Sequence, residues 1–149
     1  MIAPIHPHHD ATIADFWVSA WQATFPDIDF NARRPWILAH LAEMRADGNI
    51  VRGYFDGDAV IGFYSLYPDT GLIEQICVSL EAKGRGIGAA LVGDAEEFTR
   101  ARLNLVVNQD NEVARRFYAK LGFMEREHRV DAVSGRPVID LEMAVKPKG

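Results

Sequence analysis

The segment that most constrains the fold is a glycine-rich turn between an apolar strand and an amphipathic helix. It reads Lys83-Gly84-Arg85-Gly86-Ile87-Gly88-Ala89-Ala90-Leu91. Glycines let the backbone approach an anion closely, and a helix N-terminus presents free N–H groups and about half a positive charge. Lys83 and Arg85 add two full charges beside it. The segment therefore predicts a pyrophosphate site rather than a plain strand-to-helix turn.

The apolar patterns on either side of this turn predict a mixed sheet with helices on both faces. The expected strands are Ile2–His6, Ile50–Phe55, Ala59–Tyr67, Leu72–Ser79, Leu103–Val107, Phe123–Val130 and Pro137–Val145. The expected helices are Asp10–Thr24 with Asp10 as its N-cap, Arg33–Ala46, Ile87–Arg100, and Glu112–Leu121 capped by Asn111. The order β-α-α-β-β-β-α-β-α-β-β contains one strand-helix-strand unit, expected to form a right-handed parallel crossover.

Length and charge narrow the class of protein further. A chain of 149 residues predicts a single domain, residues 1–149. A net charge of -5 gives no support to nucleic acid or an anionic membrane as partner. The single cysteine, Cys77, excludes an intrachain disulfide. With no apolar stretch of roughly 20 residues and no signal-peptide pattern at the N-terminus, we expect a cytoplasmic protein without a membrane partner.

Two nucleotide-binding patterns compete for the glycine-rich turn. The Gly-Lys-Ser/Thr pattern of nucleoside triphosphatases is absent. The dinucleotide pattern G-x-G-x-x-A is matched by Gly84, Gly86 and Ala89. That pattern belongs to a doubly wound sheet with an acid at the end of the next strand, whereas here Asn108 ends the strand. A dinucleotide oxidoreductase is therefore a poor fit.

Two motifs in the correct order resemble those of the GNAT superfamily of acyl-CoA-dependent N-acyltransferases. The first, Gln/Arg-x-x-Gly-x-Gly/Ala after the fourth strand, is matched from Lys83 to Gly88, with Lys83 replacing the usual Gln or Arg. The usual Val-x-Pro after the fourth strand is missing. The second motif is Asn-x-x-Ala-x-x-x-Tyr-x-x-x-Gly-Phe, met by Asn111, Ala114, Tyr118, Gly122 and Phe123. The resemblance implies an α/β (α+β) fold with a mostly antiparallel sheet of about seven strands.

The same resemblance implies acetyl-CoA as co-substrate. Its pyrophosphate is expected on Lys83, Gly84, Arg85, Gly86, Ile87, Gly88 and Ala89. The pantetheine is expected along the backbone of Ile76, Cys77 and Val78, with the Val78 N–H as a candidate donor to the thioester carbonyl. Asn111 and Arg115 are expected to contact the pantetheine or the phosphates, and Tyr118 is expected to contact the cofactor as well.

Acyl transfer to an amine requires a base for the amine and an acid for the leaving thiolate. The resemblance places Tyr118 as the acid, and a phenol has a pKa near 10, not far from that of a thiol. Tyr118 could instead be an aromatic that packs beside Phe117. Glu74 lies on the fourth strand, where many relatives carry the base. Its alternative is a solvated or salt-bridged strand acid.

We therefore expect an N-acetyltransferase that moves an acetyl group from acetyl-CoA to a primary amine by direct attack in a ternary complex. The alternative is a non-catalytic acyl-CoA-binding or regulatory module. The acceptor would be a small-molecule or peptide amine, and a homodimer is left open. The acids Asp27, Asp29 and Glu43 are compatible with a cationic amine.

Two further features favour structure over function. The aromatic stripe Trp17, Trp21 and Phe25 has helical spacing and is more often core than acceptor pocket, and Trp36 is a similar case. The histidines at positions 6, 8 and 9 have no second ligand cluster with zinc spacing. We expect no metal site.

Overall fold

The computed structural model describes residues 1–100 and 102–145, and within them it shows seven strands and four α-helices. The strands are β1 (Ile2–Pro4), β2 (Ile50–Asp56), β3 (Ala59–Tyr67), β4 (Leu72–Val78), β5 (Arg102–Asn108), β6 (Met124–Val130) and β7 (Pro137–Ala144). The helices are α1 (Asp10–Thr24), α2 (Arg34–Ala46), α3 (Ile87–Glu96) and α4 (Glu112–Leu121). None of these helices is both long enough and apolar enough to cross a bilayer.

All seven strands form one sheet in the order β1-β2-β3-β4-β5-β7-β6. Every neighbouring pair is antiparallel except β4 and β5, which are parallel because α3 connects them. The expected mixed, mostly antiparallel sheet is confirmed. The β6–β7 hairpin folds back so that β7 lies between β5 and β6.

The centre of the sheet is splayed open. β4 and β5 share a single register pair, Leu72 with Asn104. On its other edge, β5 pairs with β7 along its whole length, from Arg102 to Asn108. β4 pairs with β3 on the opposite side of the cleft. The sheet therefore divides into two halves that separate beyond Leu72, and a cleft opens between them.

Helices cover both faces of this sheet, as expected. On one face, α1 and α2 bury a core that includes Ile13, Leu41 and Phe63. On the other face, α3 packs mainly against β3 and β4, and a second core there includes Leu91 of α3, Tyr118 of α4 and Ile139 of β7. The cleft therefore has a helical layer on either side of it.

Helix α3 is held firmly against the sheet. Its Asp94 carboxylate accepts hydrogen bonds from Arg52 Nε at 2.7 Å and from the Tyr64 hydroxyl at 2.6 Å. Burial and this carboxylate raise the pKa of Tyr64, so the hydroxyl remains a donor. A side chain at Gly62 would meet Ile87 Cγ2 at 3.0 Å, which shows how closely α3 approaches β3. These contacts fix the helix that begins at the glycine-rich turn.

Some boundaries differ from the sequence-based expectation. β1 ends at Pro4 rather than His6, because Pro7 begins a short 3-10 turn. Asp10 is the first residue of α1, not its N-cap, and its carboxylate forms an ion pair with Arg45 on α2. α3 ends at Glu96 rather than Arg100, because the chain must turn there to bring buried Thr99 within 3.5 Å of the Arg102 carbonyl.

Candidate active site

A cavity of about 480 Å³ lies in the cleft between β4 and β5. Its volume falls within the range of small-molecule sites. It is bordered by the glycine-rich turn at the start of α3, by α4 and by the end of α1. The lining includes Glu74, Gln75, Ile76, Cys77, Val78, Lys83, Gly84, Gly86, Ile87, Gly88, Asn111, Phe117 and Tyr118.

The glycine-rich turn is built as an anion cradle at one end of the cavity. Gly84 and Gly86 have φ angles of 81° and 75°, a left-handed conformation that favours glycine. No atom lies within 4 Å of where a Cβ would stand at either residue, so the turn faces open space. Gly86 is the N-cap of α3, and Ala90 N–H donates to its carbonyl. The N–H groups that precede Ala90 in the first turn of the helix have no intrahelical partner.

The cations of the turn have different surroundings. Lys83 lines the cavity. Arg85 is exposed and lies 3.4 Å from Asp56 at the end of β2. Arg85 and Ala89 fall outside the cavity lining, so Lys83 is the cation of this turn that faces the cavity.

The register of β4 shows which of its backbone groups face the cleft. Ser79 N–H bonds to the Ile61 carbonyl at 2.9 Å, and in an antiparallel pair hydrogen-bonded and non-bonded positions alternate. Ile76 and Val78 are therefore at non-bonded positions opposite β3, and their N–H groups point toward the cleft. The Cys77 backbone is bonded to β3, and its side chain lines the cavity.

Tyr118 and Cys77 both line the cavity and are close enough to influence each other electrostatically. Tyr118 is buried and has edge-to-face ring contacts with Phe117 and Phe123. Burial, and next the neighbouring Cys77, raise the pKa of Tyr118 above its usual range. Burial also raises the pKa of the Cys77 thiol to about 12, although Lys83 opposes this. Both groups are therefore protonated at neutral pH, and Tyr118 can donate a proton.

The two expected residues at the start of α4 occupy different surroundings. Asn111 caps the helix as expected, since its Oδ1 accepts from Ala114 N–H at 3.2 Å, and it lines the cavity. Arg115 lies outside the lining. Its guanidinium donates to the Glu125 carboxylate at 2.9 and 3.1 Å and to the Gln109 carbonyl at 2.9 Å. In this structure Arg115 links α4 to β6.

Glu74 is placed by a β-bulge. Ser65 pairs with Gln75 and Leu66 with Ile73, so Glu74 is the extra residue of β4. Its Oε2 lies 2.7 Å from His40 Nε2 and 3.0 Å from Ser65 Oγ. A carboxylate is only an acceptor, so a hydrogen bond in this contact requires a proton on His40 Nε2. Its Oε1 also accepts a hydrogen bond from Gln75 Nε2 at 3.2 Å. Glu74 is thus a half-buried carboxylate that lines the cavity and is held by three donors.

His40 and Ser65 did not emerge as candidates from the sequence. His40 stacks on Trp36 with ring centroids 4.7 Å apart. The i, i+4 spacing of these two residues on one helix was the available local signal. Glu74, the partner of His40, is 34 residues further along the chain. No local sequence pattern indicates such a contact.

A second cavity of about 610 Å³ adjoins the first and shares four lining residues with it: Trp21, Gln75, Val106 and Asn108. Trp17 is buried in the hydrophobic core and also lines this cavity. Its indole N–H donates to Gln75 Oε1 at 3.1 Å. The acids Asp27, Asp29 and Glu43 do not line either cavity.

A family model supplies the deciding comparison, since it matches residues 10–123 and describes the acetyltransferase (GNAT) family. The chain belongs to the GNAT family. The matched range contains α1 and β4, which contribute residues to the lining of both cavities, together with the glycine-rich turn and α4. The resemblance drawn from the two motifs is therefore confirmed.

Curated relatives match this GNAT chain over shorter segments. The 5-NmdU N-acetyltransferase of Pseudomonas phage PaMx11 is 44% identical over 68 residues, or 42% of this chain and 48% of the phage protein. An uncharacterized N-acetyltransferase of Methanocaldococcus jannaschii, MJ1207, is 41% identical over 59 residues, or 37% of this chain and 26% of that protein. The matched segments thus span about half and about a quarter of these relatives.

Solved structures share the GNAT fold along nearly the whole chain. The apo form of YjaB from Escherichia coli has a TM-score of 0.79 at 21% identity, covering 99% of this chain and 98% of that one. The PaiA N-acetyltransferase of Thermoplasma acidophilum in complex with coenzyme A has a TM-score of 0.75 at 18% identity, with 97% and 98% covered. Salmonella typhimurium YncA, a putative acetyltransferase with acetyl-CoA, has a TM-score of 0.73 at 15% identity, with 100% and 95% covered.

Proposed function

We propose that this GNAT protein transfers the acetyl group of acetyl-CoA to a primary amine within a ternary complex, and that residues 1–149 act as one domain. The observation that carries the proposal is the convergence on one cavity of an anion cradle, an unpaired strand edge and a buried tyrosine. Coenzyme A and acetyl-CoA complexes of structural neighbours support the choice of co-substrate.

The residues present fit coenzyme A. The cradle around Gly84 and Gly86, with Lys83, would hold the pyrophosphate through N–H groups and one ammonium. The outward N–H groups of Ile76 and Val78 would pair with the amides of the pantetheine arm, as a partner strand would. Asn111 would border the arm from α4.

Acetyl-CoA supplies an activated acetyl group, and in the reaction a C–N bond to the amine forms while the C–S bond breaks. Glu74 accepts the proton that the attacking amine releases, directly or through one water. The Val78 N–H stabilises the negative charge that develops on the carbonyl oxygen, an interaction that can be worth about 10²–10³ in rate. Tyr118 donates its proton to the departing thiolate and regains one from solvent.

The surroundings of Cys77 do not favour a covalent route through its thiol. An acyl-cysteine mechanism needs a thiolate or a base beside the thiol. Burial raises the pKa of Cys77 to about 12. The hydrogen-bond partner of its Sγ is the Val78 carbonyl oxygen at 3.9 Å, which is not a base. Direct attack by the amine is the route that these surroundings support.

Binding of coenzyme A is tested by thermal unfolding. A ligand present at 100 times its Kd stabilises the folded state by about 2.7 kcal/mol, so coenzyme A should raise the Tm by several degrees and NAD should not. Lys83→Met removes the donor and the charge and should reduce the shift, whereas Arg126→Met on β6 should leave it intact. Stabilisation by NAD without stabilisation by coenzyme A would instead support the dinucleotide interpretation.

The role of His40 is tested separately from that of Glu74. His40→Phe retains the stacking on Trp36 but removes the N–H that holds the Glu74 carboxylate. We expect kcat to fall about fivefold, the equivalent of one hydrogen bond of roughly 1 kcal/mol, with an unchanged KM for acetyl-CoA. His40→Gln restores a donor and should recover most of the loss. Equal impairment of the two variants would contradict this positioning role.

A further inference from the structure

The second cavity has an aromatic wall. Trp17, Trp21, Phe25, Phe30 and Trp36 all line it. Trp21 stacks on Phe25 with centroids 5.8 Å apart and ring planes at 8°, and it lies 6.1 Å from Phe30 at 23°. Stacked rings of this kind present faces and edges on which another planar ring can pack.

Two guanidinium groups border the same wall. Arg33 Cζ lies 5.1 Å from the Phe30 ring centroid, and Arg136 Cζ lies 5.2 Å from that of Phe25. Within residues 1–100 and 102–145 neither forms an ion pair with a carboxylate, whereas the adjacent Arg34 does. Arg33 and Arg136 are therefore available to a ligand in the cavity.

The one acid in the lining does not offset these two charges. Asp131 accepts from Ser134 N–H at 2.8 Å and lies 3.9 Å from Arg129. The hydrogen bonds from Ser134, and the charge of Arg129 among the smaller causes, lower the pKa of Asp131. Its negative charge already has partners, so the cavity offers two uncompensated positive charges beside an apolar wall.

We propose that the acceptor is an amine on a flat aromatic ring that also carries an anionic group, a carboxylate or a phosphate. This inference rests on the proposed function. The ring stacks on Trp21 and Phe25, and the anion lies between Arg33 and Arg136. The amine extends toward Gln75, which lines both cavities.

Intrinsic tryptophan fluorescence can report ligand binding in the second cavity, because all three tryptophans of the sequence line it. Tryptophan fluorescence of the full chain with saturating coenzyme A measures the Kd of amines without requiring turnover. The matched probes are 4-(aminomethyl)benzoate, benzylamine and 4-(aminomethyl)benzylamine, which differ only opposite the amine. We expect the benzoate to bind at least about fivefold more tightly than benzylamine, and the diamine to bind most weakly. Replacing the benzoate by 4-(aminomethyl)phenyl phosphate then shows which anion is preferred.

The double variant Arg33→Gln/Arg136→Gln should remove the preference for the anionic ring while benzylamine binds as before. Arg34→Gln, whose residue lies outside the cavity lining, is the matched control and should keep the preference. Tighter binding of the diamine, or a preference that survives the double variant, would overturn the proposal. Binding in the expected order with no release of coenzyme A from acetyl-CoA would support the ligand class and reject only the proposed transfer.

Discussion

Tyr118→Phe is expected to lower kcat by at least about tenfold, since a general acid typically contributes about 10²–10⁴-fold. The substitution retains the ring contacts with Phe117 and Phe123 and removes only the hydroxyl. Burial raises the pKa of Tyr118, so the wild-type hydroxyl keeps its proton through neutral pH and can give it to the thiolate. The KM for acetyl-CoA should change little, because the cradle and the β4 edge are untouched. Steady-state rates at saturating substrates measure the effect.

Tyr54→Phe is the matched control for this experiment. Tyr54 is a partly buried tyrosine on β2 that lies outside both cavities. Its loss of a hydroxyl should leave kcat unchanged. Unchanged turnover in Tyr118→Phe would remove Tyr118 from the mechanism and leave it as a packing residue of α4.

Glu74→Gln is expected to lower kcat/KM for the amine about 10²-fold at neutral pH, as loss of a general base does. The amide has nearly the shape of the carboxylate, so the bulge on β4 should persist. The deficit should shrink as the pH rises toward the pKa of the free amine, because a growing share of the amine then arrives already deprotonated. A purely structural role for Glu74 would not produce this pH dependence.

Glu43→Gln provides the comparison, since Glu43 is an exposed acid on α2 that lines neither cavity. Its rate should match that of the wild type at every pH. A Glu74→Gln deficit that stays constant from neutral to alkaline pH would contradict the role of base. Glu74 would then be the salt-bridged strand acid that its contact with His40 also permits.

The parts that the sequence predicts well are those with local causes. The cradle depends on glycines and a helix start within a few residues, and the structure shows left-handed Gly84 and Gly86 there. The cap of α4 by Asn111 also follows from one neighbouring hydrogen bond. The seven strands and four helices follow from short apolar periods, so only their ends shifted by up to a few residues.

The parts that it does not predict arise from contacts between distant segments. The splay of β4 and β5 is a property of the whole sheet: β4 follows β3 and β5 follows β7, and a single register pair joins the two halves. The Glu74–His40 contact depends on a bulge and on the packing of α2. The charge of the second cavity has the same kind of origin, because Arg33 and Arg136 lie far apart in the sequence and both line it.

Amine-dependent release of coenzyme A from acetyl-CoA, with the product identified by mass, tests the central claim most directly. The assay uses the full chain, a panel of amines that includes 4-(aminomethyl)benzoate, and varied concentrations of both substrates. We expect thiol release matched by an acetylated amine, with initial-rate lines that intersect, as a ternary complex requires. Coenzyme A binding without thiol release for any amine would contradict the claim and leave a binding module, and parallel lines would point to a covalent intermediate.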